Sequence, residues 1–194
     1  MIPSALRLSR RPIHASSSAR EAGFEALFEM QFDRVYGFVR FRISDEAAAE
    51  DITSEVFARA WSKLRDPDDR NAAAAWLFTT ARRLVIDHHR RHPSTSLGSV
   101  AEAHHPAGPT PENASLAHER LTVLRRCLDA LSERERDVIG LRFIAGLRNR
   151  EIAALVGTTE GNVAKILHRT LRKLRDRLAA DGYTATDDLG GVSE

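Results

Sequence analysis

Disulfide chemistry is missing from this chain: its 194 residues hold a single cysteine, Cys127. One thiol cannot staple the fold internally, so a reducing compartment fits. Cys127 sits in an apolar helical pattern (LRRCLDAL) and reads as a small core residue rather than a redox switch. Long apolar runs are missing too, and none is long enough to cross a membrane. No β-type alternation stands out. There is no phosphate-cradling glycine loop, no catalytic triad and no HExxH pattern. An isolated enzyme, a cofactor, a small-molecule substrate and direct membrane insertion are therefore not expected.

A large excess of charge of one sign is also missing, because the net charge is only +2. The distribution says more than the sum. Between Asp45 and Asp69 the acids Asp45, Glu46, Glu50, Asp51, Glu55, Asp66, Asp68 and Asp69 face only Arg59, Lys63 and Arg65. Between Arg82 and His92 the bases Arg82, Arg83, Arg90 and Arg91 face only Asp87. An acidic surface followed by basic ones points to two kinds of partner, one cationic and one polyanionic.

What is present is helical periodicity in two blocks. Residues 1–20 are rich in arginine and serine without an acid, and read as a disordered basic tail or an over-called start. They lack the continuous apolar core of a secretory signal. The first block covers 21–92, with apolar stripes from Phe24 to Val39, from Ile52 to Leu64 and from Trp76 to Val85. Asp66-Pro67-Asp68-Asp69 breaks it between helices. Residues 93–113 carry four prolines among Ser, Gly and Thr and form a flexible linker. The second block covers 114–180, where Ser132 and Glu135 make a capping box. Gly146 closes the helix that this box opens. The acidic tail 181–194 is expected to fray. The expected fold class is all-α: two small helical domains on a tether.

The segment REIAALVGTTEGNVAKILHRTLRKLRDR, Arg150 to Arg177, carries the strongest signal. It reads as a helix, a turn at Gly157, and a second helix capped by Thr159. Val163, Ile166, Leu167, Leu171, Leu174 and Leu178 recur at helical spacing, while Lys165, Arg169, Arg172, Lys173, Arg175 and Arg177 lie largely off that stripe. A helix-turn-helix with a basic second helix is how a protein enters the DNA major groove. The bland alternative is a solvated cationic helix. Only Glu160 and Asp176 oppose the cations between 159 and 178, whereas solvated helices mix signs.

Three motifs in register, AEDITSEVFARAW (Ala49 to Trp61), AWLFTTARRLVIDHHRR (Ala75 to Arg91) and LSERERDVIGLRFIAGLRNREIAALVGTTEGNVAKILHRTLRKLR (Leu131 to Arg175), resemble bacterial RNA polymerase sigma factors. The likeness is to the two-domain extracytoplasmic-function group of the sigma-70 family and spans roughly Phe24 to Leu178. It implies a region 2-like domain at 21–92 and a region 4-like domain at 114–180. By that likeness, Asp51, Glu55, Phe57 and Trp61 dock on core RNA polymerase, the aromatics being mostly core and the carboxylates functional. Arg82, Arg83, His88, Arg90 and Arg91 contact promoter DNA near the start site and help open it. The loop Asp66 to Asn71 matches a segment that captures an unstacked base from the melted single strand. Thr159, Glu160, Asn162, Lys165, His168, Arg169, Arg172 and Lys173 belong to the surface that reads the distal element.

Departures from the pattern are Ser54 for a usual glutamine, Arg83 for a common asparagine, and Ala164 and Ile166 where polar or basic residues are frequent. Ile166 falls on the apolar stripe, and Asn149 can cap the first helix of the motif in place of a serine or threonine. The resemblance implies no cofactor, no metal, a cytoplasmic location, and an anti-sigma factor that can hold the chain at the inner membrane face. Rival readings are a helical interaction protein without DNA and the two that follow. Leu131 to Leu174 also resembles the output module of response regulators, which makes a stand-alone helix-turn-helix regulator the alternative. His88 and His92, one turn apart beside Asp87 and His89, have a spacing zinc accepts, but no separate third ligand is evident.

Overall fold

The computed structural model describes residues 13–64, 69–92 and 121–183, and every regular element among them is helical. The elements are α1 (Ile13–Arg42), α2 (Glu46–Lys63), α3 (Arg70–Arg91), α4 (121–129), α5 (Glu133–Ile139), a π-type turn (Gly140–Ile144), α6 (Asn149–Val156) and α7 (Glu160–Ala180). The linker 93–113, residues 114–120 and the end of the C-terminal tail lie outside the described residues. Residues 13–20, expected in the N-terminal tail, belong to α1. Nothing in their sequence breaks a helix, since no Pro or Gly stands between Pro12 and Gly23.

α1, α2 and α3 pack as one lobe. Val35, Phe38 and Val39 of α1 meet Val56, Phe57 and Ala60 of α2 and Leu77, Phe78, Ala81 and Val85 of α3. Fully buried alanines at 49, 60, 73 and 81 let the helix backbones approach closely. Asp45 and Asp69 cap α2 and α3, accepting from the amides of Ala48 and Ala72. The Asp69 cap corrects the expected loop: Arg70 and Asn71 stand in the first turn of α3, because the carboxylate satisfies an amide there that otherwise has no partner.

α4 to α7 form the second lobe around Leu128, Val138, Leu141, Ile152, Val163, Leu167 and Leu174. The capping box is formed: Ser132 Oγ accepts from the Glu135 amide, and Glu135 Oε2 accepts from the Ser132 amide at 2.8 Å. Gly146, at φ +66°, turns the chain after the π-type turn. Asn149 does not cap α6 as expected. Arg148 occupies the cap position, and its amide donates to Glu151 Oε2 at 2.6 Å, so the acid three residues on replaces a side-chain cap. Gly157, at φ +67°, ends α6, and Thr159 caps α7 by accepting from the Asn162 amide. Cys127 is buried as expected, and burial pushes its thiol pKa up.

The lobes are packed on one another. Gly140 lies so close to α1 that an added Cβ would stand 2.9 Å from the Phe41 ring. Arg34 Nε donates to the Ala145 carbonyl at 2.9 Å. Asp137 of α5, 2% exposed, is bonded by Arg42 of α1 and by Arg82 of α3.

Candidate polymerase-docking and nucleic-acid surfaces

The helical period divides α2 cleanly. Thr53, Val56, Phe57 and Ala60 face inward, while Asp51, Ser54 and Glu55 are exposed. Glu55 accepts from Arg59 Nε at 2.6 Å, one turn along the helix. Such an exposed pair contributes little and leaves the carboxylate available. The two expected aromatics part company. Phe57 is 5% exposed and edge-packed on Phe28 with ring centres 4.8 Å apart. Trp61 is 42% exposed, with Phe24 against its edge and the Arg20 guanidinium 5.1 Å from its ring centre. Of the four expected docking residues, Asp51, Glu55 and Trp61 therefore present a surface, and Phe57 supports it from the core.

α3 ends in a basic cluster. Arg83, Arg90 and Arg91 are exposed, and Arg90 pairs with Asp87 at 3.2 Å. The rings of His88 and His92 lie 4.7 Å apart. Burial, then His92, holds the His88 pKa below its ordinary value. His89 is lowered first by burial and next by Arg42, and its Nε2 is buried without a hydrogen-bond partner. No group of three or more His, Cys, Asp or Glu side chains among the described residues is arranged to hold a metal. Arg82 stands apart from the other arginines, because its Nε donates to Asp137 Oδ2 at 2.7 Å.

A hollow of about 610 Å³ lies between α2 and α3, lined by Arg59, Lys63, Trp76, Thr79, Thr80 and Arg83 among others. The sequence did not single out Arg59, Lys63 and Trp76 as one site. They come from two helices, so no linear spacing joins them. Cations around an aromatic ring suit an unstacked base and its phosphate.

On α7 the outward residues include Glu160, Asn162, Ala164, Lys165, His168, Arg169, Arg172 and Arg175, and Leu171, expected on the apolar stripe, is 39% exposed. Asn162 Nδ2 donates to Thr158 Oγ1 at 2.8 Å, so Thr158 holds an amide at the N-terminal end of the helix. Ile166 is packed in the core at 5% exposure. Lys173 turns toward α5 and donates to Glu135 Oε2 at 3.2 Å. Burial pushes the Glu135 pKa up, but bonds from the Ser132 amide and hydroxyl and from Lys173 outweigh it, and the net shift is downward.

Comparison with known proteins places the chain in a family. Sigma-70 region 2 matches residues 27–95, and Sigma-70, region 4 matches residues 121–174. The chain is 31% identical over 188 residues to the ECF RNA polymerase sigma factor BldN of Streptomyces coelicolor, covering 89% of this chain and 71% of that protein. It is 31% identical over 174 residues to SigL of Mycobacterium tuberculosis, covering 89% and 98% respectively. The fold is shared with CnrH, solved with the cytosolic domain of CnrY, at a TM-score of 0.62 and 24% identity over 87% of this chain and 95% of that one. It is shared likewise with RpoE of Bartonella quintana, solved with the anti-sigma factor NepR, at a TM-score of 0.59 and 23% identity over 81% and 98%.

The chain belongs to the ECF RNA polymerase sigma factors. Its function is to direct RNA polymerase to promoters, as a specificity subunit. The response-regulator alternative finds no support, since residues 27–95 match region 2 and α1 to α3 contain no strand. No helix among the described residues is long and apolar enough to cross a membrane.

Proposed function

We propose that α2 docks this sigma factor on core polymerase through Asp51, Glu55 and Trp61. Phe57 would hold that face from beneath. Arg83, His88, Arg90 and Arg91 of α3 would then contact the promoter near the start site, joined by Arg82 once it is released. The hollow beside Trp76 would receive an unstacked base of the melted strand, which aids opening of the duplex. Thr159, Glu160, Asn162, Lys165, His168, Arg169 and Arg172 of α7 would read the distal element, the first turn reaching base edges and the later arginines the phosphates.

The observation that carries the reading is the separation of charge: exposed carboxylates on α2, and exposed cations on α3 and α7. CnrH was solved with the cytosolic domain of CnrY, and the Bartonella RpoE with NepR, an anti-sigma factor by name. A cognate anti-sigma factor and a cytoplasmic location complete the proposal. The test mixes purified protein with core polymerase. A stable complex that transcribes specific promoters is expected, and Asp51→Arg with Glu55→Arg should abolish it while leaving the helical circular dichroism unchanged. A correctly folded chain that never binds core at micromolar concentration sinks the proposal.

A further inference from the structure

The first turn of α7 holds one side chain in place from two sides. Asn162 is the third residue of that helix and is exposed. Its backbone amide donates to the capping hydroxyl of Thr159 at 3.2 Å. Its side-chain Nδ2 donates to Thr158 Oγ1 at 2.8 Å, four residues back. The Thr158 backbone amide in turn donates to the Ala153 carbonyl of α6 at 2.9 Å, so this hydroxyl stands on a fixed turn. Two successive threonines therefore order one short amide before any ligand arrives. The entropy of ordering it is lost on folding rather than on binding.

An unrestrained asparagine amide carries two N–H donors and one carbonyl acceptor. Thr158 occupies one N–H, which leaves one donor and one acceptor side by side. In the major groove adenine presents an acceptor at N7 beside a donor at N6, whereas guanine presents two acceptors, N7 and O6. The restrained amide complements adenine: Nδ2 donates to N7, and Oδ1 accepts from N6. Against guanine, Oδ1 would meet O6, two acceptors with no proton between them.

Gly161 is an independent observation at the same turn. It stands inside α7, where glycine is a poor helix former, and its φ is not positive. An added Cβ would meet nothing within 4 Å. Neither the backbone conformation nor the packing among the described residues calls for glycine there. Close approach of the backbone to a ligand does. The asparagine side chain is short, so its amide reaches a base only when the helix itself comes close to the groove.

We infer that Asn162 reads an adenine in the distal promoter element, and that Thr158, which lies outside the expected DNA surface, is the positioning residue that makes it reject guanine. The inference rests on the reading of α7 as the reader of that element, and it names the base that one position takes.

The test uses holoenzyme assembled from core polymerase and the full chain. It transcribes a template library randomised across the distal element, each template carrying a transcribed barcode. At one position wild type should prefer adenine over guanine about 5- to 150-fold, the weight of one bidentate pair. Asn162→Ala should erase the preference there and keep those at other positions. Thr158→Val should cut the adenine-to-guanine ratio about 2- to 12-fold, the weight of one hydrogen bond, and Thr158→Ser should restore it. Gly161→Ala should raise the thermal midpoint yet lower output from the adenine templates. Thermal melts verify that every variant folds. A Thr158→Val holoenzyme that loses output on all templates equally, with the ratio unchanged, marks a purely structural threonine and overturns the inference. So does a wild-type profile whose distal preferences all survive Asn162→Ala. Unchanged output from Gly161→Ala removes the close approach on which the contact depends, and overturns it too. A wild-type profile flat across the whole element is a different failure, because it removes α7 as the reader.

Discussion

Lys173 of α7 and Glu135 of α5 are 38 residues apart in the chain and share a hydrogen bond of 3.2 Å. The same Glu135 oxygen closes the capping box with Ser132. Lys173 is expected on the DNA surface; the bond ties it to α5 while 36% of its side chain stays exposed. The Glu135 carboxyl titrates below its ordinary value, so the unfolded chain takes up its proton first. Its contribution is complete above the ordinary glutamate range and is lost as pH falls through the lowered folded value. Urea midpoints measured downward from about pH 5 should therefore fall more steeply in wild type than in Glu135→Gln. At neutral pH the substitution should destabilise by about 1.5–3 kcal/mol, as for hydrogen bonds to a charged group.

Ala164 and Ile166 stand two residues apart on α7, and their environments are opposite. Ala164 is exposed and Ile166 is core. Ala164→Arg should steepen the salt slope of DNA binding by about 0.9. Its stability should stay within about 0.5 kcal/mol of wild type, as for an ordinary surface change. Ile166→Arg should lose at least about 2 kcal/mol, the lower end for removing a buried isoleucine. Paired melts and salt titrations separate the two.

Arg169 is exposed on the same face of α7. Arg169→Ala should flatten the slope of log affinity against log salt by about 0.9 without moving the thermal midpoint. An unchanged slope removes Arg169 from the DNA face.

Trp76 lines the hollow between α2 and α3. If a base stacks there, Trp76→Ala should weaken binding of a single-stranded promoter segment by about 1–3 kcal/mol. Duplex binding by α7 should be untouched. Equal loss on both probes would mean that the substitution damages the lobe rather than the pocket.

Gly157 has φ +67° and open space around it, since an added Cβ meets nothing within 4 Å. The whole effect of Gly157→Ala is therefore backbone strain, about 1–2 kcal/mol. Denaturant melts should show it as a shifted midpoint with an unchanged m-value.

Much of the second lobe was legible because its signals are local. The Ser132–Glu135 box, the Gly157 turn and the Thr159 cap are each satisfied within a few residues, so spacing alone reveals them. The apolar stripe likewise located Ile166 in the core. Asn149 misled because a capping side chain was sought at that position, whereas Glu151 reaches back from the next turn. Trp61 groups with Phe57 because four residues put both on one helix face, yet only Phe57 is covered.

Helical periodicity, glycine turns and the division of charge between α2 and α7 are properties of the chain itself, and they determined the all-α fold and the family likeness. The tertiary structure decided which cations are held by a distant carboxylate. Arg82 and Lys173 look the same in sequence as Arg83 and Arg172. Yet Asp137 binds Arg82 from 55 residues away, and Glu135 binds Lys173 from 38. A basic residue announces its charge in the sequence, but the carboxylate that occupies it is brought there only by the packing of helices distant in the chain.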